Sequence, residues 1–165
     1  MANRSGVLLV TLGMAAAVGD PVFAVDGYHV FIVGTARVVV LNALDGAARR
    51  LSRAECRRVF DDFVDADGRS LEKVVDATAK RPEDLLATLY FVDAEGTPQC
   101  RIEHMELFTA PGSHVVHVCP RFAEIPRHSD LGEMLIIHEL LHMLGLGENP
   151  PASGDITRAV HRRCG

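Results

Sequence analysis

The run from Leu131 to Leu146 constrains this chain more than any other stretch: it is apolar almost throughout, yet it carries His138, Glu139 and His142 in its middle. A helix is the expected conformation, with Asp130 and Glu133 at capping-box spacing at its start and Gly145 and Gly147 as its stop. Met134, Leu135, Ile136, Ile137, Leu140, Leu141, Met143 and Leu144 leave it no polar face, so it belongs in the middle of a domain. Two imidazoles and a carboxylate buried there are costly unless something satisfies them.

Residues four apart share one face of a helix, so His138 and His142 can aim two ring nitrogens at a single metal ion. A zinc ion is the expected partner, and Glu139 beside it is the expected general base toward water at the metal. A catalytic zinc needs a third protein ligand and an open fourth position. The glycines after the helix turn the chain back and bring Glu148 within reach, which makes it the expected third ligand. Asp155 and His161 are its rivals, on an expected last helix after Pro150-Pro151 with Ser153 as cap.

Read as a whole, the segment H-E-L-L-H-M-L-G-L-G-E resembles the extended motif H-E-x-x-H-x-x-G-x-x-H/D of the metzincin clan of zinc peptidases. His138, Glu139, His142 and Gly145 match residue for residue, Glu148 stands where the clan has His or Asp, and no Met follows Met143 to form the clan's methionine turn. From about Leu51 onward the chain is also similar to a group of short exported bacterial proteins of unknown function, sharing H-E-x-L-H and an ending with Ile156-Thr157 and Arg163-Cys164. These resemblances imply a zincin-like α+β domain, a small twisted mixed sheet packed on helices around the motif helix. The metzincin resemblance implies a zinc-dependent endopeptidase acting on peptide or protein, with His138, His142 and Glu148 on the metal and Glu139 as base; the resemblance to the exported group says nothing of substrate. In such peptidases the strand before the motif helix, here His114–Cys119, is a sheet edge along which an extended substrate pairs. His114 and His117 on it are more often ordinary surface residues than substrate contacts. No Tyr follows the motif, which leaves Arg158 or His161 to stabilise an oxyanion. Two other readings stay open: an exported, non-catalytic protein with a structural zinc, and a zinc amidase acting on cell-wall peptides. Glu139 weighs against the first, since a structural site needs only ligands.

With 165 residues, 48% of them apolar, the chain suits one domain. Its charge of -5 and scattered basic residues exclude a nucleic-acid footprint, and no apolar run reaches the ~20 residues of a spanning helix. A monomer is expected. Arg4, the apolar Gly6–Val18 and the small residues of Val22-Phe23-Ala24 read as a signal peptide over residues 1–24, leaving a domain at 25–165 that is secreted or periplasmic. The alternative for Val7–Leu12 is a buried first strand. Cys56, Cys100, Cys119 and Cys164 contain no C-x-x-C and read as two disulfides, with Cys100–Cys119 across neighbouring strands and Cys56–Cys164 favoured among the three pairings.

Before the motif, Tyr28–Val33 and Ala36–Leu41 read as strands about Gly34, followed by a loop over Asn42–Arg50. Ser52 and Glu55 form a capping box for a helix to about Val64. Asp65–Gly68 reads as a polar turn, because a calcium loop would need oxygen ligands where Phe63 and Val74 stand. Ser70 reads as a helix cap rather than the nucleophile of an S-x-x-K enzyme, since no S-D-N or K-T-G follows. Pro82 opens another short helix, and Thr88–Val92, Cys100–Thr109 and His114–Cys119 are strands, the last two joined by a turn at Ala110–Ser113.

Overall fold

Four short strands and six helices make up a mixed α/β unit in the computed structural model, which describes residues 27–126 and 129–165. The expected signal peptide, residues 1–24, lies outside the described residues. Strands β1 (His29–Phe31), β2 (Tyr90–Asp93), β3 (Leu107–Phe108) and β4 (Val115–Val118) form one sheet in the order β1-β2-β4-β3. β1 pairs β2 and β2 pairs β4 in parallel, while β3 runs antiparallel to β4, so the sheet is small and mixed as expected.

The second expected strand and the loop after it are instead one helix, α1 (Gly34–Leu51). Its buried residues Val39, Val40, Ala43, Leu44, Ala47 and Leu51 recur at helical spacing, and that stripe packs on the motif helix. The β-branched cluster Val38–Val40 suggests a strand, but a few tenths of a kcal/mol of propensity yield to burial of a whole helix face. The helix from the Ser52 box is shorter than expected: α2 (Ala54–Arg57) passes into a 3₁₀ turn at Arg58–Phe60, and neither reaches Val64. Ser52 does not cap it; its hydroxyl donates to Arg49 O at 2.8 Å and so closes α1.

The polar turn at Asp65 stands as expected, with Asp65 Oδ1 accepting from the Asp67 and Arg69 N–H groups at 2.9 Å each. Ser70 caps α3 (Leu71–Ala77) by accepting from Glu72 N–H, and Pro82 opens α4 (Pro82–Leu85). Of the long strand expected over Cys100–Thr109 only β3 forms; Gln99–Arg101 is a 3₁₀ turn. The favoured cysteine pairings are the ones present, Cys56–Cys164 and Cys100–Cys119, although Cys100 lies in that turn rather than in a strand.

One face of the sheet buries Val30, Phe91, Leu107, Val116 and Val118 under the helices. The motif helix α5 (Asp130–Met143) crosses this core, with Met134, Ile136, Ile137, Leu140 and Leu141 fully buried. Its cap is Ser129, whose hydroxyl accepts from Leu131 N–H, not Asp130. Glu133 is not part of a box either; it forms an ion pair with Arg50 of α1. Gly46 permits that approach, since a Cβ there would overlap the Glu133 carboxyl. The last helix, α6 (Ser153–Cys164), starts at Ser153 rather than being capped by it, the N-cap being Ala152. Its C-terminal end is tied down by the Cys56 disulfide, by Arg163 on Asp62 at 2.6 and 2.9 Å, and by Arg53 Nη2 donating to Cys164 O at 2.6 Å. Among the described residues no helix is long and apolar enough to cross a membrane.

Candidate metal centre

The end of α5 builds the site. Leu144 is the C-cap, Gly145 follows at φ 103°, and the Gly145 and Leu146 N–H groups bond back to the carbonyls of His142 (2.9 Å) and Leu141 (3.1 Å). This is a Schellman closure, which needs a left-handed residue after the C-cap and gets one from glycine. The reversal lays the Leu146 carbonyl against His142 Nδ1 at 2.8 Å and returns Glu148 toward the helix. The His142 carbonyl also accepts from Gly112 N–H at 2.8 Å, so the turn at Ala110–Ser113 is fastened to the same helix end.

His138, Glu139 and His142 are buried, at 4%, 3% and 3% exposure. His138 Nε2 lies 2.9 Å from His142 Nε2, and Glu148 Oε1 lies 3.8 and 3.4 Å from these two nitrogens. Tetrahedral zinc with ligand bonds of about 2.0–2.2 Å sets its donors roughly 3.3–3.5 Å apart, a spacing these three separations bracket. The three residues could hold a metal ion; their ligand atoms all lie within 4.8 Å of one another. Each imidazole has its other nitrogen engaged, His142 with Leu146 O and His138 Nδ1 with Thr157 Oγ1 at 3.0 Å. Burial, reinforced by neighbouring His142, pulls His138 down to about 3, so its ring is neutral, the form that binds metals.

Glu139 points into the same cleft, and its Oε2 is buried without a hydrogen-bond partner. Burial pushes its carboxyl up to about 8; the Thr109 hydroxyl opposes the rise and Glu148 adds to it. The cleft, about 260 Å³, is walled by Met105, Leu107, Phe108, Thr109 and Pro111 on the β3 side, and Glu148 and Ser153 also line it.

Glu148 therefore joins the two histidines, and neither rival does. Asp155 pairs with Arg158 on the exposed side of α6, and His161 is exposed and lines no part of the cleft. Arg158, expected as a possible oxyanion donor, is likewise outside it. The edge strand is a further correction: β4, which includes His117, lies inside the sheet between β2 and β3. The tight turn after Thr109 folds β3 back as the antiparallel neighbour of β4, so β3 takes the edge and walls the cleft. His114 Nδ1 contacts Thr88 O, and His117 stacks on Phe108 with ring centroids 4.6 Å apart. Thr157, Thr109 and Ser153 carry no motif signal as site residues; Thr157 is a polar residue beside the buried stripe Ile156, Val160 and Cys164, visible only once α6 is docked.

Compared with protein families, characterised proteins and solved structures, the chain matches none.

Proposed function

We propose that this protein is an exported zinc-dependent endopeptidase with a zincin-like site, its metal held by His138, His142 and Glu148. The observation that carries the reading is a single cleft in which two imidazole nitrogens and a carboxylate oxygen converge while a fourth polar group, Glu139, is buried beside them with its Oε2 unpartnered. Two imidazoles and a carboxylate also suit iron, so the donor set alone does not select the chemistry. Glu139 favours hydrolysis, because a carboxyl group in the metal cleft but outside the ligand set is placed to take a proton from water and hand it on.

Held by His138, His142 and Glu148, zinc would supply Lewis acidity toward a carbonyl and toward water. Glu139 then takes the proton from the attacking water and passes it to the leaving amine. β3, unpaired on its outer edge among the described residues, offers main-chain N–H and C=O groups to an extended peptide. Export accords with the two disulfides, which persist in oxidising compartments.

A digest of diverse unfolded proteins tests the reading. Wild type is expected to cleave and to stop with a chelator, and Glu139→Gln to bind zinc but lose activity by about 10²-fold or more. Equal inertness of wild type and Glu139→Gln would instead leave a structural zinc as the better account. Cleavage confined to cell-wall peptides would redirect the proposal to a zinc amidase using the same residues.

A further inference from the structure

We infer that Thr157 is a positioning residue for the metal site: its hydroxyl accepts the Nδ1–H of His138 and so turns the Nε2 lone pair of that ring toward His142 and Glu148. The inference rests on the reading of these three residues as a metal centre, and adds to it an element outside the motif.

A neutral imidazole carries one N–H and one lone pair. To present Nε2 as a metal ligand, His138 must keep its proton on Nδ1, and at 4% exposure that N–H needs an acceptor inside the protein. Thr157 Oγ1, 3.0 Å away, provides it. The two histidines differ in how they are held. His142 uses the Leu146 carbonyl, which belongs to the closure of its own helix. His138 uses a side chain from α6, 19 residues further on, so its orientation depends on how a second helix is docked.

That docking is unusually well determined. Ile156, Ala159, Val160 and Cys164 are buried, and the far end of α6 is fixed to Cys56 and Asp62. Thr157 sits on the first turns of this anchored helix, next to the buried Ile156. Valine is close in volume to threonine and equally β-branched, so Thr157→Val removes the oxygen with little else changed.

Zinc affinity is to be measured by competition with a chromophoric chelator for wild type, Thr157→Ser and Thr157→Val, each checked by the thermal midpoint of its metal-stripped form. The expected result is a loss of about 10–100-fold in Thr157→Val, rescue to within about threefold by Thr157→Ser, and a metal-free midpoint lowered by no more than the several degrees that one unpaired buried N–H costs. Wild-type affinity in Thr157→Val, or an equal loss in Thr157→Ser, overturns the role. A second measurement needs no variant: in zinc-loaded wild type, ¹⁵N-resolved NMR is expected to show a slowly exchanging Nδ1–H on His138. A rapidly exchanging proton there, or zinc on Nδ1, overturns it as well. If wild type takes up no zinc, the metal centre falls and the role of Thr157 with it. If wild type and Thr157→Val bind zinc equally, only the role of Thr157 falls.

Discussion

Glu148 Oε1 lies 3.4 Å from His142 Nε2, although the end of a helix separates the two residues. The closure at Gly145 accounts for the approach by reversing the chain within one turn. If Glu148 is the third ligand, Glu148→Ala lowers zinc affinity by more than the about 10–100-fold typical of an outer partner. His161→Ala and Asp155→Ala leave it unchanged. Equilibrium competition with a chelator checks all three; tight zinc in Glu148→Ala together with its loss in His161→Ala would reverse the assignment.

Gly145 is subject to two constraints at once. Its φ of 103° disfavours any side chain, and a Cβ would stand 3.2 Å from that of buried Asp65. Gly145→Ala is expected to cost roughly 1–3 kcal/mol, a fall in thermal midpoint of about 2–4 °C per kcal/mol for a chain of this size. An unchanged midpoint would show that the closure tolerates a β-carbon.

The two disulfides close loops of very different length, with a sequence separation of 108 for Cys56–Cys164 and 19 for Cys100–Cys119. In the chain-entropy picture a loop near 100 residues contributes about 4.7 kcal/mol and one near 15 about 3. The Cys56→Ser/Cys164→Ser double variant is therefore expected to unfold at lower urea than Cys100→Ser/Cys119→Ser. The opposite order would mean that local packing at Cys119 outweighs the anchoring of α6.

Acid sensitivity follows from two aspartates. A hydrogen bond from Arg163 holds Asp62 below the ordinary carboxylate range. Asp65 is held low first by the Arg69 backbone N–H, with the Arg69 side chain and the Asp67 N–H adding to it against burial. A carboxyl group with a depressed folded pKa contributes stability above its unfolded value of about 3.9 and loses it as pH falls through the folded value. Asp62→Asn and Asp65→Asn should thus be less stable than wild type at neutral pH, with the gap narrowing below about pH 4. Urea midpoints taken across pH test this, and a gap independent of pH would contradict it.

The parts of this fold legible in the sequence are those where one chemical requirement dominates. His138, Glu139 and His142 declare themselves because three polar groups in an apolar helix need a partner, and Gly145 because the chain must turn there. Ser70 and Pro82 are legible as local helix signals. The region 36–50 is not: Val38–Val40 and the helical stripe Val40, Leu44, Ala47 and Leu51 point to different periods, and only packing on α5 decides between them. Glu133 has the spacing of a capping residue, yet a tertiary partner, Arg50, claims it. The edge position of β3 and the contact of Thr157 with His138 arise between segments far apart in the chain, where no local pattern records them.

Anomalous diffraction from zinc-soaked crystals, recorded on either side of the zinc absorption edge, bears most directly on the metal centre. The expected result is one peak about 2.0–2.2 Å from His138 Nε2, His142 Nε2 and a Glu148 oxygen, with Glu139 beside it but not bound. No peak at that position, or a peak held by the two histidines with Glu148 turned away, would contradict the account.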